Sequence, residues 1–128
     1  MIDGGLYHLF KRRFPDWLWS RLETGDICPG IPDAMYCTPD GVIGFLEFKI
    51  AKHWKVTFQP LQPAWISKHA RYKARVFVIV KRADKSLYVI SGHDVLCLAE
   101  EGLKSFSEIP GEGQKNWNWE RVKEILTQ

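Results

Sequence analysis

The segment that most constrains this chain is Thr38-Pro39-Asp40-Gly41. Proline presets φ at the second place of a tight turn, and a following glycine accepts the left-handed conformation. The four residues therefore predict a type I turn closed by a left-handed glycine. The flanking runs, Ile31 to Cys37 and Val42 to Ile50, then read as two antiparallel strands. If Thr38 pairs with Val42, counting back sets Asp33 directly opposite Glu47, and Lys49, two residues on, shares their face. A register slipped by one would carry Glu47 to the other face. Two carboxylates directly opposite repel each other, and charges within apolar strands are costly unless something compensates them.

The rest of the chain supplies elements to cover that hairpin. Leu6, Leu9 and Phe10 fall at helical spacing within residues 5–13, ahead of Pro15, and predict a short amphipathic helix with a basic end. From Asp16 to Glu23 the tryptophans alternate as in a strand, but the absence of β-branched residues favours a helix, which is the expectation here. A helix is expected from Pro60 to Lys73, with its prolines in the first turn, a buried stripe of Leu61, Trp65 and Tyr72, and an adjoining stripe of Gln62, Ile66 and His69. Arg75 to Val80 is apolar on both faces and predicts a central strand, with a further strand at Leu87 to Ile90. Asp94 is expected to cap a short helix ending at Gly102. Residues 104–116 read as irregular, and Trp119 to Leu126 as a last helix. A strand, a crossover helix and another strand predict an α/β (α+β) fold, a central mixed β-sheet flanked by helices, in a single domain over residues 1–128.

Charge is unevenly placed. From Lys49 to Lys85 ten Lys/Arg face one acid, a local net charge of +9, whereas Ser86 to the end carries −3. Such a window is the electrostatic footprint of a polyanion partner, or else a solvated face. Three widely spaced cysteines, Cys28, Cys37 and Cys97, indicate neither a zinc site nor a disulfide framework. No apolar run approaches the roughly 18 residues that span a bilayer, and the first residues lack the layout of a secretory signal. A cytoplasmic protein with no membrane association and no organic cofactor is expected.

Asp33 and Glu47, side by side on rigid strands with the backbone carbonyl of Phe48, form the oxygen donor set of a hard cation such as Mg²⁺. A cation there would relieve the repulsion and bring water into nucleophilic range. Lys49, kept charged by Glu47, could orient that water or neutralise charge building on a phosphate. Gln62, opening the next helix, could hydrogen-bond a phosphate. The competing reading is a surface salt bridge between Glu47 and Lys49, with Asp33 as a strand-edge charge.

Arg21-Leu22-Glu23, then Gly30-Ile31-Pro32-Asp33, then Leu46-Glu47-Phe48-Lys49, then Leu61-Gln62-Pro63-Ala64-Trp65, then Val76 to Val80, resembles the PD-(D/E)XK nuclease superfamily over about residues 17–82. The pattern is most similar to its phage-type and virus-type replication-repair branch, which includes Holliday junction resolvase-like nucleases. The resemblance implies a restriction-endonuclease-like core, Mg²⁺-dependent hydrolysis of DNA phosphodiesters (Mn²⁺ substituting), often a homodimer, and in a phage-encoded protein the cytoplasm of a bacterial host. It matches Asp33 and Glu47 to the metal-binding acids, Lys49 to the catalytic lysine, Gln62 to the helix glutamine and Glu23 to an additional metal ligand. Lys73-Ala74-Arg75 departs from it, because a glycine is usual before the central strand.

Lys52, His53 and Lys55, with Trp54 between them, directly follow the motif and are candidate DNA-binding residues, as are Lys68, Arg71 and Lys73 near the end of the next helix; Trp54 reads equally as a ring that stacks on a base or as a core residue. His8 and His93 have no partners at ligand spacing and read as structural or exposed. Trp17, Trp19, Trp117 and Trp119 read first as core and second as an interface. The function expected is a structure-selective endonuclease acting on branched DNA. The alternatives are a sequence-specific restriction or homing-type nuclease, and a non-catalytic DNA-binding module.

Overall fold

A computed structural model describes residues 3–22, 29–83 and 85–128. Five strands, β1 (Leu18–Arg21), β2 (Ala34–Cys37), β3 (Ile43–Ala51), β4 (Val76–Arg82) and β5 (Leu87–Ser91), form one sheet in the order β1-β2-β3-β4-β5. Every neighbouring pair is antiparallel except β3 and β4, which run parallel. Parallel neighbours need a crossover, and α2 (Gln62–Arg71) provides it. The other helices are α1 (Leu6–Arg13), α3 (Val95–Glu101) and α4 (Trp119–Thr127). The α+β architecture expected from the element order, a mixed sheet flanked by helices, is the one observed.

Alternation along the strands divides the core in two. Ala34, Tyr36, Leu46, Phe48, Phe77, Ile79 and Leu87 point to one face, where they pack with Leu6 and Phe10 of α1 and Val122 and Leu126 of α4. Val76, Val78, Val80 and Ile90 belong to the other face, against Ile66 of α2, Val95 and Leu98 of α3, and Leu103. On β3, the middle strand, Glu47 and Lys49 alternate with Leu46 and Phe48 and so lie on the face that α2 covers.

The turn forms as its residues require. The Thr38 N–H donates to the Val42 carbonyl (3.0 Å), the Gly41 N–H to the Thr38 carbonyl (2.9 Å) and the Val42 N–H to the Thr38 hydroxyl (3.0 Å), with Gly41 at φ 84. The ladder pairs Cys37 with Ile43 and Ala34 with Leu46, the register anticipated. β2 starts at Ala34 rather than Ile31, because Pro32 has no N–H for a ladder.

Three expectations are corrected. Residues 18–21 form the edge strand β1, not a helix, paired antiparallel with β2. Tertiary stacking decides this. Trp17 and Trp19 fall on one face, stacked on each other at 5.9 Å, and Trp17 stacks on Tyr36 at 5.2 Å and on Phe14 at 4.3 Å. The period-two aromatics were the informative signal. In α2 the buried stripe is Gln62, Ile66 and Ala70, with Ser67, while Leu61 and Tyr72 are 53% and 80% exposed. Trp65 is half-buried, stacked on His69 at 3.5 Å. The inward stripe does not follow the larger side chains, because a polar residue, Gln62, opens it. Asp94 occupies the N-cap position of α3 without a side-chain bond. A 3₁₀ turn, Gly92–Asp94, precedes the helix, and there the Ser91 hydroxyl accepts from the His93 N–H.

α4 is capped by Asn118, whose side chain accepts from the Arg121 N–H. It is tied to the sheet by the buried Tyr36 hydroxyl, which donates to the Leu126 carbonyl at 2.6 Å. The Tyr36 phenol lies over Gly44 of β3 so closely that any Cβ there would overlap it. Gly44→Ala should therefore destabilise the fold by about 2 kcal/mol through overpacking. Urea unfolding should show a lower midpoint at unchanged slope, and an unchanged midpoint would contradict this packing.

Candidate active site

The side chains of Asp33, Glu47, Lys49 and Gln62 converge on an open cleft of about 650 Å³ at the edge of the sheet where β2 ends and β3 continues. Asp33 immediately precedes β2, and the ladder register carried one step beyond Ala34–Leu46 sets it across from Glu47. Where β2 has ended, the Asp33 carboxylate replaces it: Oδ2 accepts from the Phe48 N–H at 2.9 Å. Odd residues of β3 bond towards β4, as the Phe45 N–H does to the Arg75 carbonyl. The Phe48 carbonyl, on the alternate set, therefore points to the same side as its N–H, beside Asp33. Gly30, at φ 92, starts the approach to Asp33 and packs so tightly on α2 that a Cβ would lie 2.7 Å from the Leu61 carbonyl. The glycine thereby joins the segment carrying Asp33 to the turn of helix that presents Gln62.

Gln62 links the charged groups. Its Nε2 donates to Glu47 Oε2 at 2.8 Å, and its Oε1 accepts from Lys49 Nζ at 3.0 Å and from the Gln59 N–H at 2.9 Å. Lys49 Nζ lies 3.4 Å from Glu47 Oε2 and 4.9 Å from the centre of the Phe58 ring. Every polar atom of the Gln62 amide is thus directed by a partner, and the ammonium is held at the cleft with Phe58 limiting its range. Among the described residues, Glu47 Oε1 is buried and has no hydrogen-bond partner. An unpartnered carboxylate oxygen, on a residue only 2% exposed, is a costly feature in a folded chain.

Electrostatics follow from that burial. Loss of water, then the nearby Asp33 carboxylate, push the Glu47 pKa up to about 7, against the opposing pull of Lys49 and the Gln62 hydrogen bond. Asp33 is also raised, chiefly by burial, with the Phe48 N–H and Lys49 working in the other direction.

Those features meet the demands of a hard divalent cation: a carboxylate pair with mutual repulsion, an unsatisfied oxygen and an adjacent backbone carbonyl. Among the described residues no group of three or more His, Cys, Asp or Glu converges. Two carboxylates and a carbonyl suit Mg²⁺, which takes one or two carboxylates and completes its shell with water and phosphate. Asp33, Glu47 and the Phe48 carbonyl would hold it. Glu23 lies outside the described residues.

Of the candidate DNA-binding residues, Lys52, His53 and Lys55 are exposed on the loop leaving β3, while Lys68, Arg71 and Lys73 are exposed on the outer side and end of α2. None of the six lines the cleft itself. Lys73 adopts φ 70, the left-handed conformation that glycine favours, and its N–H donates to the Ala70 carbonyl in a helix-ending turn. A lysine thus stands where the backbone would favour glycine.

Asp3 and Arg21 also line the cleft and were not anticipated. The Asp3 carboxylate accepts from the Gly5 and Tyr7 N–H groups at the start of α1, and Arg21 lies 3.8 Å from it and 4.3 Å above the Tyr7 ring. An acid just before a helical pattern is a cap signal that could have located Asp3. Nothing local in the sequence marks Arg21 as a neighbour of Asp33.

No family model matches the sequence, and neither does any curated protein sequence. Among solved structures, the chain is similar to Hjc, a Holliday junction resolvase from the archaeal hyperthermophile Archaeoglobus fulgidus, with a TM-score of 0.49 and 12% identity over 69% of this chain and 74% of that one. The roles of the residues are accordingly assigned from this chain's own geometry.

The raised Glu47 pKa makes stability depend on pH. Its ordinary value is 4.5, and between there and about 7 the folded state binds a proton that the unfolded state releases. This contribution is fully present below about pH 4.5 and is lost as the pH rises through 7, a span worth about 3 kcal/mol for this group alone. Metal-free protein should therefore lose melting temperature between pH 5 and pH 8. Mg²⁺ should restore it at pH 8, and Glu47→Gln should flatten the profile. A profile that keeps its slope in Glu47→Gln would place the titrating group elsewhere.

Proposed function

We propose that this protein is a metal-dependent DNA endonuclease of the PD-(D/E)XK type, hydrolysing phosphodiester bonds in branched DNA. The observation that carries the reading is the convergence of Asp33 and Glu47 on one cleft, with Glu47 Oε1 buried and unpartnered among the described residues and Lys49 fixed beside it by Gln62. A salt bridge on a surface does not need a buried glutamate, a second carboxylate opposite and a glutamine tying both charges together. Mg²⁺, with Mn²⁺ as a substitute, would supply polarisation of the phosphate and activation of water.

The chain's own groups account for the remaining requirements. Asp33 and Glu47 supply two formal negative charges once deprotonated, and these would hold a cation able to attract an incoming phosphate. The Lys49 ammonium stands where negative charge develops on a phosphate in the cleft, and it is oriented before substrate arrives because Gln62 Oε1 already holds it. Gln62, through its contacts to Glu47 and Lys49, positions both. The basic window from Lys49 to Lys85 supports a DNA partner: Lys52, His53 and Lys55 leave the cleft along the loop after β3, and Lys68, Arg71 and Lys73 extend the positive surface along α2. Contacts of this kind position a backbone without reading sequence, which favours recognition of DNA shape over recognition of a base sequence.

Labelled duplex, flap and four-way-junction DNA, incubated with and without Mg²⁺, provide the test. The wild-type protein should cut branched substrates only with the metal. Asp33→Ala and Glu47→Ala should reduce cutting to background, and Lys49→Ala should slow it by about 10²–10³-fold while leaving DNA binding intact. Binding without cutting of any substrate would favour the non-catalytic module, and cutting by Asp33→Ala at the wild-type rate would place the active centre elsewhere.

A further inference from the structure

Between β3 and α2 the chain leaves the sheet at Ala51, passes Lys52-His53-Trp54-Lys55, re-enters the core at Val56 and reaches Thr57 and Gln59 on the cleft wall. Residues 52–55 are all exposed, between the buried Ala51 and Val56. Trp54, at 39% exposed, could have turned inward with Val56 but does not. Its exposure is not looseness. The Trp54 carbonyl accepts from the Leu103 N–H at 2.8 Å, and Gly102, at φ 80, approaches so closely that a Cβ would lie 2.6 Å from that oxygen. The α3 terminus therefore pins the backbone that carries the indole. The Arg82 guanidinium lies 3.9 Å from the centre of the ring, fixing its orientation from the end of β4. A rigidly mounted aromatic ring, with a cation on it and exposed lysines on both sides in sequence, thus stands at most about 11 Å along the chain from the cleft residue Thr57.

We infer that Trp54, backed by Arg82, is a stacking platform for an unpaired nucleobase beside the cleft. This rests on the nuclease reading and narrows its substrate class to DNA with unstacked bases near the phosphate to be cut. In a continuous duplex each base is covered by its neighbours, and an indole at the rim meets only sugar and phosphate. At a branch point, a flap or a single strand, a base is free to lie on the ring, and such stacking is tolerant of sequence because every base has a π-face. Lys52, His53 and Lys55 contribute backbone contacts available on every substrate. The loop therefore combines a general grip with a selective one.

Fluorescence anisotropy with a labelled single strand, a four-way junction and a blunt duplex, with Ca²⁺ in place of Mg²⁺, tests the assignment. Trp54→Ala should weaken binding to the single strand and the junction about tenfold, and to the duplex by less than about twofold. Trp54→Phe, which keeps an aromatic face, should recover most of the loss, while Lys55→Ala should weaken all three substrates alike. Equal loss on all three substrates in Trp54→Ala, with a lowered melting temperature, would make the indole a structural prop and overturn the proposal. If Trp54→Ala binds as wild type does and Mg²⁺-dependent cutting persists, the stacking platform is refuted while the nuclease reading stands. If the wild-type protein neither binds nor cuts DNA, both fall.

Discussion

The burial of one carboxylate, Glu47, on the middle strand of the sheet is the constraint on which the rest of the site depends. β3 lies between β2 and the parallel β4, and its Glu47 faces the helix that joins the two parallel strands. A carboxylate in that position cannot be hydrated, so its neighbours must supply what water would have. Gln62 and Lys49 do so on one oxygen only. The other oxygen has no partner among the described residues, and Asp33, just before the neighbouring strand, adds repulsion rather than relief. A chain selected for stability alone would have an apolar side chain here, since replacing buried charges with well-packed hydrophobic residues is often neutral or stabilising. The retained pair is what the proposed cation would complete.

The surrounding structure serves that pair in ways that join fold to chemistry. Asp33 does not simply hang at the end of β2; it takes the place of the next ladder partner by accepting from the Phe48 N–H. The same hydrogen bond that ends the strand therefore aims the carboxylate. Gln62 belongs at once to the buried stripe of α2 and to the site, so the packing of the crossover helix fixes the distance between Lys49 and Glu47. Gly30 allows the Asp33 segment to approach the start of that helix at a separation no larger residue would permit. Sheet, crossover and site thus cannot be rearranged independently.

Much of this was legible in the residues because it is local. The Pro39-Asp40-Gly41 turn dictates a register, and that register alone sets Asp33 against Glu47 with Lys49 on the same face. The apolar run after Arg75 identifies an interior strand by composition. What escaped the sequence depends on tertiary partners. β1 is a strand because Trp17 stacks on Tyr36 and Trp19 packs at a tilt beside it, Tyr36 being brought there by the sheet itself. The inward face of α2 is hidden by Gln62, a polar residue buried for the sake of the site, while Leu61 and Tyr72 remain outside. Arg21 meets Tyr7 and Asp3 only after the first helix docks. In α2 the misleading signal came from large side chains whose burial is decided by distant elements, and in β1 it came from the absence of β-branched residues.

The central claim is that Glu47 keeps its proton up to about pH 7, higher than an ordinary carboxyl, and that a divalent cation bound there would displace it. Calorimetric titration of Mn²⁺ or Mg²⁺ into the protein in buffers of different ionisation enthalpy measures the proton released on binding. At pH 6.5 release of a large fraction of one proton per cation is predicted, declining towards zero near pH 8.5, and absent in Glu47→Gln. Cation binding without proton release at pH 6.5, or release that persists in Glu47→Gln, would contradict the account.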